Sequence, residues 1–132
     1  MVDLSLVESI PCFTGLAPAT KADLAASLEE VSAAAGESIV SQGDFAYELF
    51  AILDGTARVE QNGEIVATLG PGELCGEIGI LLTGRRTAAI VAETPMRMLA
   101  LFDQSFRRLS REHPEFAELV HGQSRGRFTT VS

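Results

Sequence analysis

Residues 57–67 read ARVEQNGEIVA, and the Asn62-Gly63 pair inside them decides how the chain is read. Ala57-Arg58-Val59-Glu60 lies on one side of the pair and Ile65-Val66-Ala67 on the other. Both residues of the pair tolerate positive φ, which is what a tight two-residue connection between antiparallel strands requires. The stretch therefore predicts a β-hairpin.

Outward from this hairpin, short apolar runs alternate with glycines at positions 36, 43, 55, 63, 70 and 72, the interval of a compact antiparallel unit. Ser38-Ile39-Val40 and Leu49-Phe50-Ala51-Ile52-Leu53 read as strands before the hairpin. Ala89-Ile90-Val91-Ala92 and Arg97-Met98-Leu99-Ala100-Leu101 resume the sheet after it. The expected fold class is mainly β with flanking helices, an antiparallel β-roll of jelly-roll type.

The flanks change period. Leu4, Val7 and Ile10 form a short helical stripe, and Pro18 suits the first turn of a helix that carries Leu24 and Leu28. Near the other end Asp103 is expected to cap a helix bearing Phe106 and Leu109. Pro114 stops that helix and starts another with Phe116, Leu119 and Val120. Gly122 and Gly126 each weaken helix by about 1 kcal/mol relative to alanine, so the tail is expected to fray. The expected organisation is one domain over residues 1–132: a helical segment 1–28, a roll 29–102 and C-terminal helices and tail 103–132.

Ten Lys and Arg stand against eighteen Asp and Glu, a formal net charge of −8. Neutralising nucleic-acid phosphates needs a basic face, so direct nucleic-acid binding is not expected. An anionic ligand must be captured by a local positive site against the overall field. No apolar run reaches the length of a membrane span, and no signal-type segment is visible, so a cytoplasmic location is expected. Cys12 and Cys75 lack metal-type spacing and read as reduced core residues.

Residues 76–88, GEIGILLTGRRTA, carry the chemistry. The run from Ile78 to Leu82 reads as one short helix between strands, its N-terminus near Gly79. Helix N-termini offer unpaired N–H groups and partial positive charge to phosphates. Arg86 follows the return through Thr83-Gly84 and suits a two-pronged contact to the same anion. Thr87 adds a hydroxyl, and Glu77 is an acceptor suited to a hydroxyl of the ligand. These types together suggest a ribose-phosphate site. Glu77 and Arg86 fit a plain surface ion pair equally well on spacing alone. Arg85 reads as a solvated surface residue.

Gly76-Glu77-Ile78-Gly79-Ile80 and Arg86-Thr87-Ala88 resemble the phosphate-binding cassette of the cyclic nucleotide-binding domain family. The resemblance extends along most of the chain: Ile10-Pro11-Cys12-Phe13-Thr14-Gly15-Leu16, Ile39-Val40-Ser41-Gln42-Gly43-Asp44, Phe50-Ala51-Ile52-Leu53-Asp54-Gly55, Leu69-Gly70-Pro71-Gly72 and Phe106-Arg107-Arg108-Leu109. It implies that Glu77 accepts from the ribose 2′-hydroxyl and that Arg86 pairs with a phosphate oxygen. Thr87 and the backbone of Gly76, Ile78, Gly79 and Ile80 would complete the phosphate shell. Val59, Ala67 and Leu69 match base-packing positions, where core packing is an equal reading. Arg127 aligns with a base-facing position, beside Phe128, in a tail more readily read as frayed. Cys75 departs from the family by standing where an aromatic is usual before the Gly-Glu pair.

The resemblance implies a regulatory sensor whose ligand is cAMP, or cGMP, with no further cofactor. A bacterial-style cAMP receptor is the first expectation. Ligand binding would move the C-terminal helices, and the effector would be a partner protein or a domain outside these residues. Two rivals remain: a ligand-independent interaction module of the same fold, and the sensor part of a longer transcription regulator. A metal-dependent enzyme on a β-roll lacks clustered ligands, with His113 and His121 the only histidines and His113 reading as a helix-end residue. No serine or cysteine has an evident base partner, so neither an enzyme nor a metal site is expected. Arg107, Arg108 and Arg111 read as the solvated face of an amphipathic helix.

Overall fold

The computed structural model describes residues 1–76 and 84–131, with side chains described through residue 123. The Asn62-Gly63 hairpin is there: Asn62 has φ 54° and Gly63 φ 83°, joining β4 (Ala57–Gln61) to β5 (Glu64–Leu69). β1 (Glu29–Ala33), β2 (Ser38–Val40), β3 (Glu48–Asp54) and β6 (Leu74–Cys75) join β7 (Ala89–Ala92) and β8 (Met96–Phe102) in two antiparallel sheets. The strand orders are β1-β8-β3-β6 and β2-β7-β4-β5, the expected roll. The two-residue β6 is too short to leave a period in the sequence.

The first sheet is apolar on both faces because side chains alternate along a strand. From β3, Phe50 and Ile52 join Val59, Leu69, Ile90 and Met98 between the sheets. Leu49 and Ala51 face the other way, with Leu99 and Leu101 of β8, into a second core built with the helices. That core takes Val7 of α1 (Leu4–Glu8), Phe13 of a 3-10 turn (Pro11–Phe13) and Leu24 of α2 (Pro18–Ser27). Phe106 of α3 (Asp103–Glu112) and Phe116 of α4 (Pro114–Val131) complete it. Cys75 is buried and Cys12 half-buried, and neither is in a disulfide. Among the described residues no helix is long and apolar enough to cross a membrane.

Four local expectations need correction. Leu4 is exposed while Val7 and Ile10 are buried, since α1 ends at Glu8 before a full stripe can form. Asp103 is the first residue of α3 rather than its cap; Phe102 holds the cap position, and the Asp103 carboxylate accepts from the Gln104 N–H at 2.9 Å. α4 runs through Gly122 and Gly126 to Val131, so the glycine cost does not end the helix. Arg108 is no bystander on a wet face. It grips both carboxylate oxygens of Asp23 at 2.9 Å, the Ser27 hydroxyl at 2.9 Å and Glu112 at 2.8 Å, tying α3 to α2.

His113, between α3 and α4, joins the same cluster. Its Nε2 lies 3.0 Å from Asp23 and its Nδ1 3.0 Å from the Thr20 hydroxyl, which also contacts the Glu115 carboxylate. Arg108 foremost, with His113 adding, holds the Asp23 carboxyl below the usual aspartate range against the opposing effect of burial.

Candidate functional site

β6 runs into Gly76, whose backbone takes φ 88°, a conformation that favours glycine. The missing side chain also makes room. A Cβ at this position would lie 2.6 Å from Nη1 of Arg86 and 3.1 Å from the Glu48 carbonyl oxygen. Nη1 uses that space to donate to the Gly76 carbonyl at 3.3 Å.

Arg86 arrives at this point on a segment stitched to the loop between β2 and β3. Its N–H donates to the Asp44 carbonyl at 2.7 Å, and its own carbonyl accepts from Gly43 at 2.9 Å. Ala46 donates to the Gly84 carbonyl at 2.9 Å. Arg85 is exposed, as expected, yet its guanidinium donates to the Gly43 carbonyl at 3.0 Å and lies 4.1 Å above the Phe45 ring. Cation-on-aromatic packing of this kind adds to the stitch.

The Arg86 side chain is only 3% exposed. Its Nη2 donates to the Glu48 carbonyl at 2.8 Å and reaches the Glu48 carboxylate at 3.5 Å, while the Phe50 ring lies 6.0 Å away. Burial pushes the Arg86 pKa down, and the charges of Glu48 and Asp44 act in the opposite sense. Arginine keeps its proton in proteins, so the result is a buried, directional cation. Beside it opens a pocket of about 420 Å³, large enough for a small molecule, with Asp44, Phe45, Tyr47, Glu48, Arg85 and Arg86 among its walls. Buried guanidinium donors next to such a space can recognise an anion of phosphate or carboxylate type.

Gly76 and Arg86 are thus brought into direct contact. Thr87 is half-buried, and its carbonyl accepts from the Gln61 side chain at 3.1 Å, linking the segment to β4. Val59 and Ala67 are cross-strand partners, and Val59 and Leu69 belong to the core between the sheets, with Ala67 packed against it. Glu77, Ile78, Gly79 and Ile80, with the expected short helix, lie outside the described residues. Arg127 is on α4, its side chain outside the described part. Sequence reasoning missed Glu48: an acid opening a strand has no local signal for a partner 38 positions away.

A model of the cyclic nucleotide-binding domain matches residues 30–113. The chain is 36% identical over 114 residues to a cyclic AMP receptor protein from Thermus thermophilus, covering 82% of this chain and 52% of that protein. It is 35% identical over 107 residues to a cAMP-dependent protein kinase regulatory subunit from Schizosaccharomyces pombe, covering 80% of this chain and 26% of that one. The chain therefore spans about half or less of the length of these relatives. In fold it resembles the solved regulatory subunit of a cAMP-independent protein kinase A from Trypanosoma brucei. That match has a TM-score of 0.82 at 24% identity, over 93% of this chain and 43% of that one.

Proposed function

From the premise that the chain belongs to the cyclic nucleotide-binding domain family, we propose that it is a regulatory sensor for cAMP, with cGMP as the second candidate. The observation that carries this is Arg86, a buried cation with its donors ordered by Gly76 and Glu48 beside an open pocket. Arg86 would take the phosphate, Glu77 the ribose hydroxyl, and Thr87 with the backbone of residues 76–80 the rest of the phosphate shell. Val59, Ala67, Leu69 and Arg127 would border the base. Two relatives at 35% identity or more carry cAMP in their names, which favours cAMP.

The output would be a shift of the C-terminal helices. Glu48 pairs across the sheet with Phe102, and the Asp103 N–H, at the start of α3, donates to the Tyr47 carbonyl at 2.7 Å. The residue that holds Arg86 is therefore one step from the root of α3. A ligand shifts such an equilibrium only through differential affinity for its two states. The effector would be a partner protein or a further domain.

A ligand-independent interaction module of the same fold is the second reading. Calorimetric titration with cAMP and cGMP separates the two. The sensor binds one of them at micromolar concentration or below, loses most of that affinity in Arg86→Ala and less in Glu77→Ala. Absence of heat and of any thermal shift with both nucleotides would assign the module.

A further inference from the structure

Nη2 of Arg86 has two acceptors among the described residues, and both belong to Glu48: the main-chain carbonyl at 2.8 Å and the carboxylate at 3.5 Å. Nη1 of a guanidinium lies on the Cδ side. Both two-pronged faces, end-on through Nη1 and Nη2 and side-on through Nε and Nη2, therefore use an Nη2 hydrogen. A phosphate that grips Arg86 in this way must displace one of the two Glu48 oxygens.

The two oxygens are not equally movable. The carbonyl is fixed in β3, whose residue 48 is registered against Phe102. The carboxylate makes the longer contact, and its side chain is 28% exposed against 3% for that of Arg86. Glu48 and Arg86 both border the pocket in which a ligand would arrive.

We propose that the Glu48 carboxylate is a built-in competitor for the Arg86 guanidinium, displaced by the incoming phosphate, and that it sets the affinity of the site. The role rests on the sensor function proposed above and adds its tuning. A carboxylate left beside a bound phosphate also repels it, and Asp44 borders the same pocket. Without the competitor, Arg86 is still held by the Gly76 and Glu48 carbonyls.

Calorimetric titration of the wild type, Glu48→Gln and Glu48→Ala with cAMP and cGMP, at low and high salt, tests this. Both neutral variants are expected to bind about tenfold more tightly at low salt, and less so at high salt, where exposed charges are screened. Thermal melts verify that the variants are folded, and two side chains of different size separate charge from packing. Wild-type binding with equal or weaker binding in both variants overturns the competitor and leaves the sensor standing. No binding by any of the three proteins overturns both.

Discussion

A side-chain carbon at position 76 would sit 2.6 Å from Nη1 of Arg86, so the glycine and the cation occupy complementary space. Gly76→Ala must strain a backbone at φ 88° and push the guanidinium off the Gly76 carbonyl. The expected outcome is a loss of about 1–3 kcal/mol in stability by urea unfolding. Nucleotide binding falls with it, read in the same protein by calorimetry.

Arg86→Lys separates charge from geometry. Lysine keeps the cation but has no fork with which to serve the Gly76 and Glu48 carbonyls together. It is expected to retain part of the affinity, whereas Arg86→Ala weakens binding by about a hundredfold. Both variants are less stable by about 1–3 kcal/mol, because carbonyls lose their donor. Equal affinities for Lys and Ala would show that the fork is what binds.

Asp23 predicts an acid-sensitive helix joint. Its pKa is held below the usual range by Arg108 and His113, so the unfolded chain takes up the proton first as pH falls. The stabilisation is complete well above the ordinary aspartate value of about 3.9 and is lost as pH falls through it to the lower folded value. Asp23→Asn should therefore be less stable than the wild type at pH 7, by up to about 1 kcal/mol for a partly exposed group. The difference should shrink toward pH 3 in melts across that window. A constant difference would contradict the linkage.

Phe116 is fully buried, with its ring 6.4 Å from Phe13 and 5.8 Å from Phe106. It fastens α4 to both the 3-10 turn and α3. Phe116→Ala is expected to cost about 3–5 kcal/mol by denaturant unfolding. Phe116→Leu should cost distinctly less, as it leaves a smaller cavity.

What the sequence made legible was whatever a local rule controls. Asn62-Gly63 specified its turn because positive φ is a property of those two residues. Pro18 opened α2 and Pro114 opened α4 for an equally local reason. The failures involve choices made elsewhere in the fold. Periodicity placed Arg108 on the polar face of α3 correctly, but Asp23, 85 positions away, decides that this face is an interface. Glu48 escaped notice similarly, since only the main-chain stitching of the Arg86 segment to the loop before β3 brings the two together. In the candidate site, the residue types of the cassette were legible, while the main-chain carbonyls that orient its arginine were not.

The two-faced sheet carries a consequence for cooperativity. β3 and β8 supply alternate side chains to both cores, so neither core can open without stripping one side of the same two strands. Amide protons shared by β3 and β8 should therefore exchange with solvent only on global unfolding, while the edge hairpin β4–β5 exchanges earlier through local opening. The helix response proposed above would be carried across this shared wall, where Glu48 of the pocket is followed in β3 by Leu49, paired with Leu101 in the helix-facing core.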